Sequence, residues 1–379
     1  EFPPYTNWGG IASYNYAFAN AYSKFGHHIT VISRMSRGAP EFEETENGIK
    51  IWRIGRTVFR KYFLGRTIDK ILYSKSVYKK TKELDDINAF DVIETTEAGL
   101  EAEILLSDPL FSDRVVIQCN GSNSQTVIPD GPFSFLNRID ASWSLKREID
   151  SLRLAKNVLV TSESTRKVLL SNGIVSSNIK LIYQGIDVDR FEPAKSKVPD
   201  SPLKVGFVGR LEKTKGIDFV WQVIERIDPT DGITFHFKGA IHWTSRKDTE
   251  QKFEQFSELA VYHRPGDQAD MPAYYQGLHV LLQPSHFENF GLVYVEGMAS
   301  KLIVFAGMNG GGSEIIMNNI TGFVIDPNND VDLVVEKLKN IASDLSSYEE
   351  MADRAREDVI KKYSLEACAR QKIAYYNQI

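Results

Sequence analysis

Three stretches in the second half of this 379-residue chain set charged side chains beside glycine-rich turns. The first is Val208-Gly209-Arg210-Leu211-Glu212-Lys213-Thr214-Lys215-Gly216, which leaves an apolar run (Lys204–Val208) and enters a helix-like stretch near Ile217. Glycine lets backbone approach an anion closely, and a helix N-terminus adds partial positive charge. Arg210 supplies a planar fork and Lys215 a point charge, a combination suited to a diphosphate. The competing reading is a solvated loop with ordinary surface cations.

The second stretch runs Pro284-Ser-His-Phe-Glu288-Asn-Phe-Gly-Leu-Val-Tyr-Val-Glu296-Gly-Met-Ala after the apolar run His279–Gln283. The Asn289-Phe290-Gly291 break places Glu288 in a loop and Glu296 in the following helix. A loop carboxylate can hydrogen-bond a sugar, and the helix carboxylate can take a ribose hydroxyl. The backbone N–H groups of Phe290 to Val293 fall at the helix start, where oxygens are well received. An isolated glutamate pair on a capped amphipathic helix is the bland alternative. The third stretch, Gly310-Gly311-Gly312-Ser313-Glu314 and on to Asp326-Pro327, reads alone as turn-rich scaffolding. His27-His28 and His286-Phe-Glu288 lack further ligands at metal spacing, so no metal site is expected. No nucleophile elbow or Cys–His arrangement marks a covalent hydrolase.

These motifs need sheets to hold them. Short apolar runs alternate with helical-length segments throughout, the pattern of parallel sheets covered by helices. Predicted strands are His28–Ser33, Ile49–Ile54, Val92–Thr95, Val115–Cys119, Asn157–Thr161 and Ile179–Ile182 in the first half. Lys204–Val208, Ile233–Lys238, Ala260–His263, His279–Gln283, Ile303–Ala306 and Gly322–Val324 follow in the second. A polar, proline-rich run from Pro193 to Pro202 reads as the linker, giving domains 1–196 and 197–363. The turn Gly9-Gly10 precedes a helix-like Ala12–Phe25, yet no strand comes before it. In a Rossmann-like half such a turn follows the central strand, so a strand of roughly 5–6 residues is expected ahead of Glu1.

Composition is that of an ordinary soluble globular chain: 42% hydrophobic, 25% charged, net charge −5. Two cysteines build no disulfide framework, which fits a cytoplasmic setting. Charge is uneven, with 26 Lys/Arg against 24 Asp/Glu in residues 1–198 and 19 against 26 thereafter. Within Arg56–Lys82, nine cations face only Asp69 and interleave with Phe59, Tyr62, Phe63, Tyr73 and Val77. That mixture suits peripheral contact with an anionic membrane face. Nucleic acid is not expected, because no readout motif accompanies the charge.

Taken together, the motifs resemble family 4 glycosyltransferases. Gly209-Arg210 with Lys215-Gly216, Pro284-Ser285, the Glu288/Glu296 pair, Gly311-Gly312-x-Glu314 and Thr321-Gly322 come in that family's order. So do Gly9-Gly10, Gly26-His27 and Tyr183-Gln184-Gly185-Ile186-Asp187 in the first half. The resemblance implies a GT-B fold of two Rossmann-like domains, with helix 364–379 returning to the first. It implies retaining transfer of a hexose from a nucleoside-diphosphate sugar, UDP-glucose or a related UDP-sugar by family frequency, without metal or other cofactor. Acceptors would be glycan or polyprenyl-linked hydroxyls in envelope polysaccharide or glycoconjugate synthesis, met by loops such as Phe42–Gly48 and Ser122–Phe135.

By the same resemblance, Arg210 and Lys215 hold the diphosphate beside Gly209, and Glu296 holds the ribose. Glu288, with the backbone of Asn289, Phe290, Gly291, Leu292 and Val293, holds the sugar. Gly9 and Gly10 approach phosphate or acceptor, and Arg264 stands where the base is held through backbone. Two positions depart from the pattern. Asn120 stands where a sugar-contacting histidine is usual, and it cannot carry a proton near neutral pH. Gln184 stands where asparagine is usual. Two rival readings follow, a non-catalytic nucleotide-sugar-binding protein and a GT-B nucleotide-sugar 2-epimerase.

Overall fold

The computed structural model describes residues 2, 3, 5, 10–55, 57, 64–121, 135–195, 202–242, 246–266 and 268–379. The chain divides into two compact units. The first comprises Glu1–Gln184 together with Cys368–Ile379, and the second comprises Gly185–Ala367. The division therefore falls upstream of the proline-rich run, much of which lies outside the described residues.

In the first unit, helix α1 (Gly10–Lys24) leads to β1 (Thr30–Arg34), β2 (Phe42–Glu44) and β3 (Lys50–Ile54). Then come α2 (Gly65–Asp85), β4 (Ile93–Thr96), α3 (Ala102–Ser107), β5 (Val115–Cys119) and α4 (Phe135–Leu154). The unit continues with β6 (Asn157–Val160), α5 (Glu163–Ser171) and β7 (Ile179–Leu181). Helix α5 starts where it does because Ser162 caps it, its hydroxyl accepting from the Thr165 amide. The strands form two sheets, ordered β1-β3-β2 and β4-β5-β6-β7. All pairs are parallel except β2 with β3. Part of the expected acceptor loop Phe42–Gly48 is thus an antiparallel edge strand, with the Phe42 ring tilted against that of Trp52 across the pair. The Ser122–Phe135 loop falls almost wholly outside the described residues. A cavity of about 930 Å³ borders both β1 and β4, lined by Phe18, Tyr22, Val31, Tyr73, Ile93 and Glu94 among others.

The second unit alternates strand and helix. In chain order it holds β8 (Leu203–Val208), α6 (Ile217–Ile224), β9 (Ile233–Lys238), α7 (Arg246–Gln255), β10 (Ala260–His263) and α8 (Met271–Gln276). These are followed by β11 (Val280–Gln283), α9 (Leu292–Ala299), β12 (Ile303–Gly307), α10 (Gly311–Ile315) and β13 (Phe323–Ile325). Helices α11 (Val331–Ser343) and α12 (Glu349–Tyr363) complete it, and the last helix, α13 (Leu365–Tyr376), begins there before its remainder joins the first unit. Six parallel strands form one sheet in the order β10-β9-β8-β11-β12-β13. Strands β11 and β12 are nearly continuous apolar runs buried throughout, whereas β9 alternates buried apolar and half-buried polar residues. Phe207, Phe235, Phe237, Leu282 and Phe305 pack there with Phe219 and Val220 of α6 and Leu338 of α11.

That strand order reverses direction at β8. Chains that run outward from a central strand in both directions leave a crevice at the strands' carboxyl ends, here between β8 and β11. Two of the three motif stretches leave those two strands. Among the described residues, no helix is long and apolar enough to cross a membrane.

Candidate functional site

The loop after β8 closes with a short 3-10 turn, Lys213–Lys215, and Gly216 at φ 78° opens α6. A side chain at Gly216 is excluded twice over, by the left-handed backbone and because a Cβ would lie 2.0 Å from the Pro284 carbonyl oxygen. That close approach presses the β8 loop onto the β11 loop. It brings Lys215 Nζ to 2.6 Å from Glu288 Oε2, joining residues 73 apart in sequence. The two side chains keep 23% and 17% of their surface. Arg210 stands further out, 62% exposed and paired with the carboxylate of Glu212 at 2.9 Å.

The glycine run after β12 is part of the same construction. The Gly311 amide donates to the Glu288 carbonyl at 2.8 Å, and the Glu288 amide donates to the Asn309 carbonyl at 3.3 Å. A Cβ on Gly311 would sit 1.7 Å from the Phe290 carbonyl oxygen. These glycines fix where the Glu288 backbone lies. The scaffolding role expected for this stretch has a specific beneficiary, the loop that carries Glu288.

Helix α9 begins at Leu292 after Gly291 at φ 94°. Asn289, Phe290 and Gly291 form the turn, and Leu292 and Val293 the first helical residues, so their amide groups cluster at the helix start. The Phe290 side chain is buried, its ring 5.9 Å from that of Tyr363, so only its backbone is offered to a ligand. Glu296 lies one turn on. The fully buried Tyr275 of α8 donates its hydroxyl to Glu296 Oε2 at 2.7 Å. Burial pushes the Glu296 carboxyl upward, and the Tyr275 hydrogen bond and the Arg190 charge pull it back. Tyr275 was not read from the sequence, where nothing separates it from neighbouring Tyr274. Arg264 is exposed just beyond β10, two strands from β8.

The remaining candidates belong to the first unit. Gly9 lies outside the described residues, and Gly10 opens α1. Asn120 follows β5, and its side-chain oxygen accepts from Gln184 Nε2 at 3.0 Å. The two departures from the family pattern therefore touch each other. Beside them sits Glu97, 4% exposed, whose Oε1 accepts from the amides of both Asn120 and Gly121 at 3.2 Å. The sequence offered no signal for Glu97 beyond its place just after a strand.

Of the basic stretch, Arg56 and residues 58–63 lie outside the described residues. The rest is mostly α2, which turns Tyr73 and Val77 into the core and leaves Arg66, Lys75, Lys79 and Lys82 exposed. Leu72, 42% exposed, shares the solvent-facing side of the helix with Lys75, Lys79, Lys82 and Glu83, whereas Arg66 falls on the opposite side.

Residues 8–190 match the family described as Glycosyltransferase Family 4, and residues 188–358 match Glycosyl transferases group 1. A 41.2 kDa protein of the cps region of Klebsiella pneumoniae is 28% identical over 302 residues, covering 76% of this chain and 77% of its own. Sucrose-phosphate synthase from Thermosynechococcus elongatus superposes with a TM-score of 0.79 at 19% identity, over 98% of this chain and 93% of the synthase. HepE of Anabaena, solved in complex with UDP and glucose, superposes at 0.76 and 16% identity, over 100% and 98%. At those identities the two structures speak to fold alone. Its halves match the two family descriptions in order and its fold is shared from end to end: the chain is a family 4, group 1 glycosyltransferase with the GT-B fold.

Proposed function

We propose that the chain transfers a hexose, with retention, from UDP-glucose or a related UDP-sugar to a hydroxyl of a glycan or lipid-linked acceptor. The observation that carries this reading is the Lys215–Glu288 pair at the reversal of the second unit's sheet. A cation and a carboxylate meet there beside the amide cluster of α9, so one small volume offers groups for both phosphate and sugar hydroxyls. In this reading Lys215 and Arg210 neutralise the diphosphate, Glu288 and the backbone of residues 289–292 hold the hexose, and Glu296 holds the ribose. The acceptor oxygen bonds to the anomeric carbon on the face from which the diphosphate leaves. The anomeric C–O bond breaks, and the acceptor's proton passes to the departing diphosphate. No metal or other cofactor is assigned a part. The cps-region relative and the UDP and glucose held by HepE support a polysaccharide setting and this donor class.

Thermal denaturation against UDP, GDP, ADP and their sugar conjugates tests the donor. A nucleotide at 100 times its dissociation constant adds ~2.7 kcal/mol to stability, a shift of several degrees. The expected result is stabilisation by the uridine series, and no shift with any nucleotide overturns the reading. Product identity and anomeric configuration by NMR then separate transfer from epimerisation and from non-catalytic binding.

The exposed face of α2 that carries Leu72, Lys75, Lys79 and Lys82 supports a peripheral, cytoplasmic-face location for the same enzyme. Each such charge near an anionic surface contributes about 1 kcal/mol. Flotation with phosphatidylserine vesicles should recover the protein at low salt and lose it as salt rises. Binding that persists at high salt, or none at low salt, rejects a purely electrostatic contact.

A further inference from the structure

The turns after β4 and β5 in the first unit each carry a buried polar atom that lacks a partner among the described residues, Glu97 Oε2 and Asn120 Nδ2. One accepts and the other donates. They belong to residues already joined, because Glu97 Oε1 accepts from the Asn120 amide at 3.2 Å. Their remaining bonds are also spoken for. Gln184 holds the Asn120 oxygen at 3.0 Å, so the Asn120 amide group is turned to its free role, and Gly121 shares Glu97 Oε1. A buried polar atom without a partner costs on the order of 1–3 kcal/mol, and a complementary pair of them on two residues already hydrogen-bonded to each other is best explained by a ligand that satisfies both. A hydroxyl does so, donating to the carboxylate while accepting from the amide.

We propose that Glu97 is a specificity-determining residue, with Oε1 holding the Asn120-Gly121 turn and Oε2 accepting a hydrogen bond from a sugar hydroxyl whose oxygen takes the Asn120 amide. The proposal rests on the transferase reading and adds to it a sugar contact in the first unit. The hydroxyl can belong to the donor hexose or to the acceptor, and the chemistry is the same.

Glu97 feels the charge of Glu148 on α4, and it shares Lys70 of α2 with Glu148 and Asp140 of α4 and with Glu101 ahead of α3. Burial foremost, with Glu148 adding to it, pushes its carboxyl up to about 7, against the pull of its own backbone amide and those of Asn120 and Gly121. Only the carboxylate accepts at Oε2, so hexose affinity should rise as pH climbs through about 7.

Glu97→Gln keeps an oxygen for the two amides and replaces Oε2 with a donor, so it removes the sugar contact while sparing the turn. Calorimetric titration would compare wild type and variant with UDP, with UDP-glucose, and with glucose added to UDP-saturated protein, on both sides of neutral pH. The expected result is equal UDP affinity and about tenfold weaker binding of one hexose probe to the variant, with the wild type's pH response gone. Weakening confined to UDP-glucose assigns the hydroxyl to the donor, and weakening confined to glucose assigns it to the acceptor. Unchanged hexose binding, or a parallel loss of UDP affinity, overturns the proposal. Wild-type protein that fails to bind UDP sinks the donor reading instead, and glucose titration of the two proteins still decides the role of Glu97.

Discussion

Lys215→Ala is expected to weaken UDP binding by roughly 10- to 100-fold and to cut turnover at least as much. A charge-assisted hydrogen bond to phosphate contributes ~1.5–3 kcal/mol, and each 1.4 kcal/mol is a factor of ten. The local electrostatics add to the loss. Lys215 now sits 2.6 Å from Glu288, which keeps only 17% of its side-chain surface. Without the lysine, that carboxylate faces an incoming dianion with no counter-charge. Arg210→Ala should cost less, because Arg210 is 62% exposed and already shares its charge with Glu212. The double variant Lys215→Ala/Glu288→Gln separates two roles for the lysine. If it only neutralises Glu288, removing both charges restores UDP affinity. If it contacts the diphosphate, the double variant stays weak, which is the expected outcome in isothermal titration. Restored affinity would remove Lys215 from the phosphate site.

The parts of this site that could be read from the sequence are those where local chemistry and local structure coincide. Strand ends were legible to within a residue or two, because Val115–Cys119 is a mostly apolar run buried throughout and Ile233–Lys238 alternates buried apolar with half-buried polar residues. The loop position of Glu288 and the helical position of Glu296 followed from one glycine break. The edge strand Phe42–Glu44 was not legible, since its acidic residues and partial exposure mimic a loop and its pairing is tertiary. For the same reason Tyr275 and Glu97 could not be found. Each acts on a residue 21 or 23 positions away through a fold-dependent contact, and neither lies in a motif. The contact between Asn120 and Gln184 shows the limit most plainly. Two irregularities that look independent along the chain, 64 residues apart, are a single hydrogen bond in space.

The second large effect belongs to the core of the first unit. Lys372 of α13 is 1% exposed and reaches Glu94 Oε1 at 3.0 Å, within a cluster that includes the Tyr14 and Tyr376 hydroxyls. The rings of Tyr14 and Phe18 lie 4.8 Å from its ammonium. Removing one partner of a buried pair typically costs ~3–5 kcal/mol, because the other charge is left uncompensated. Lys372→Met should fall near the low end, about 3 kcal/mol, because Glu94 keeps 22% of its side-chain surface and borders the cavity beside β4. At about 2–4 °C per kcal/mol for a unit of this size, melting of the first unit should drop by roughly 6–12 °C. The pH dependence distinguishes this cause from lost packing. Burial pushes the Glu94 carboxyl up, but Lys372 and the tyrosine hydroxyls more than reverse it and hold it below the usual carboxylate range. A carboxyl depressed by folding adds stability above its unfolded value, and that stability is lost as pH falls through the folded one. In Lys372→Met, burial should dominate and raise the same carboxyl, so stability is instead lost as pH rises past the unfolded value. The two proteins should therefore differ most near neutrality and converge in acid, and Lys372→Met/Glu94→Gln should recover much of the deficit at neutral pH. Urea unfolding across that range reads the difference directly. A deficit that stays constant with pH and survives in the double variant would assign the cost to the lost lysine stem rather than to the stranded carboxylate.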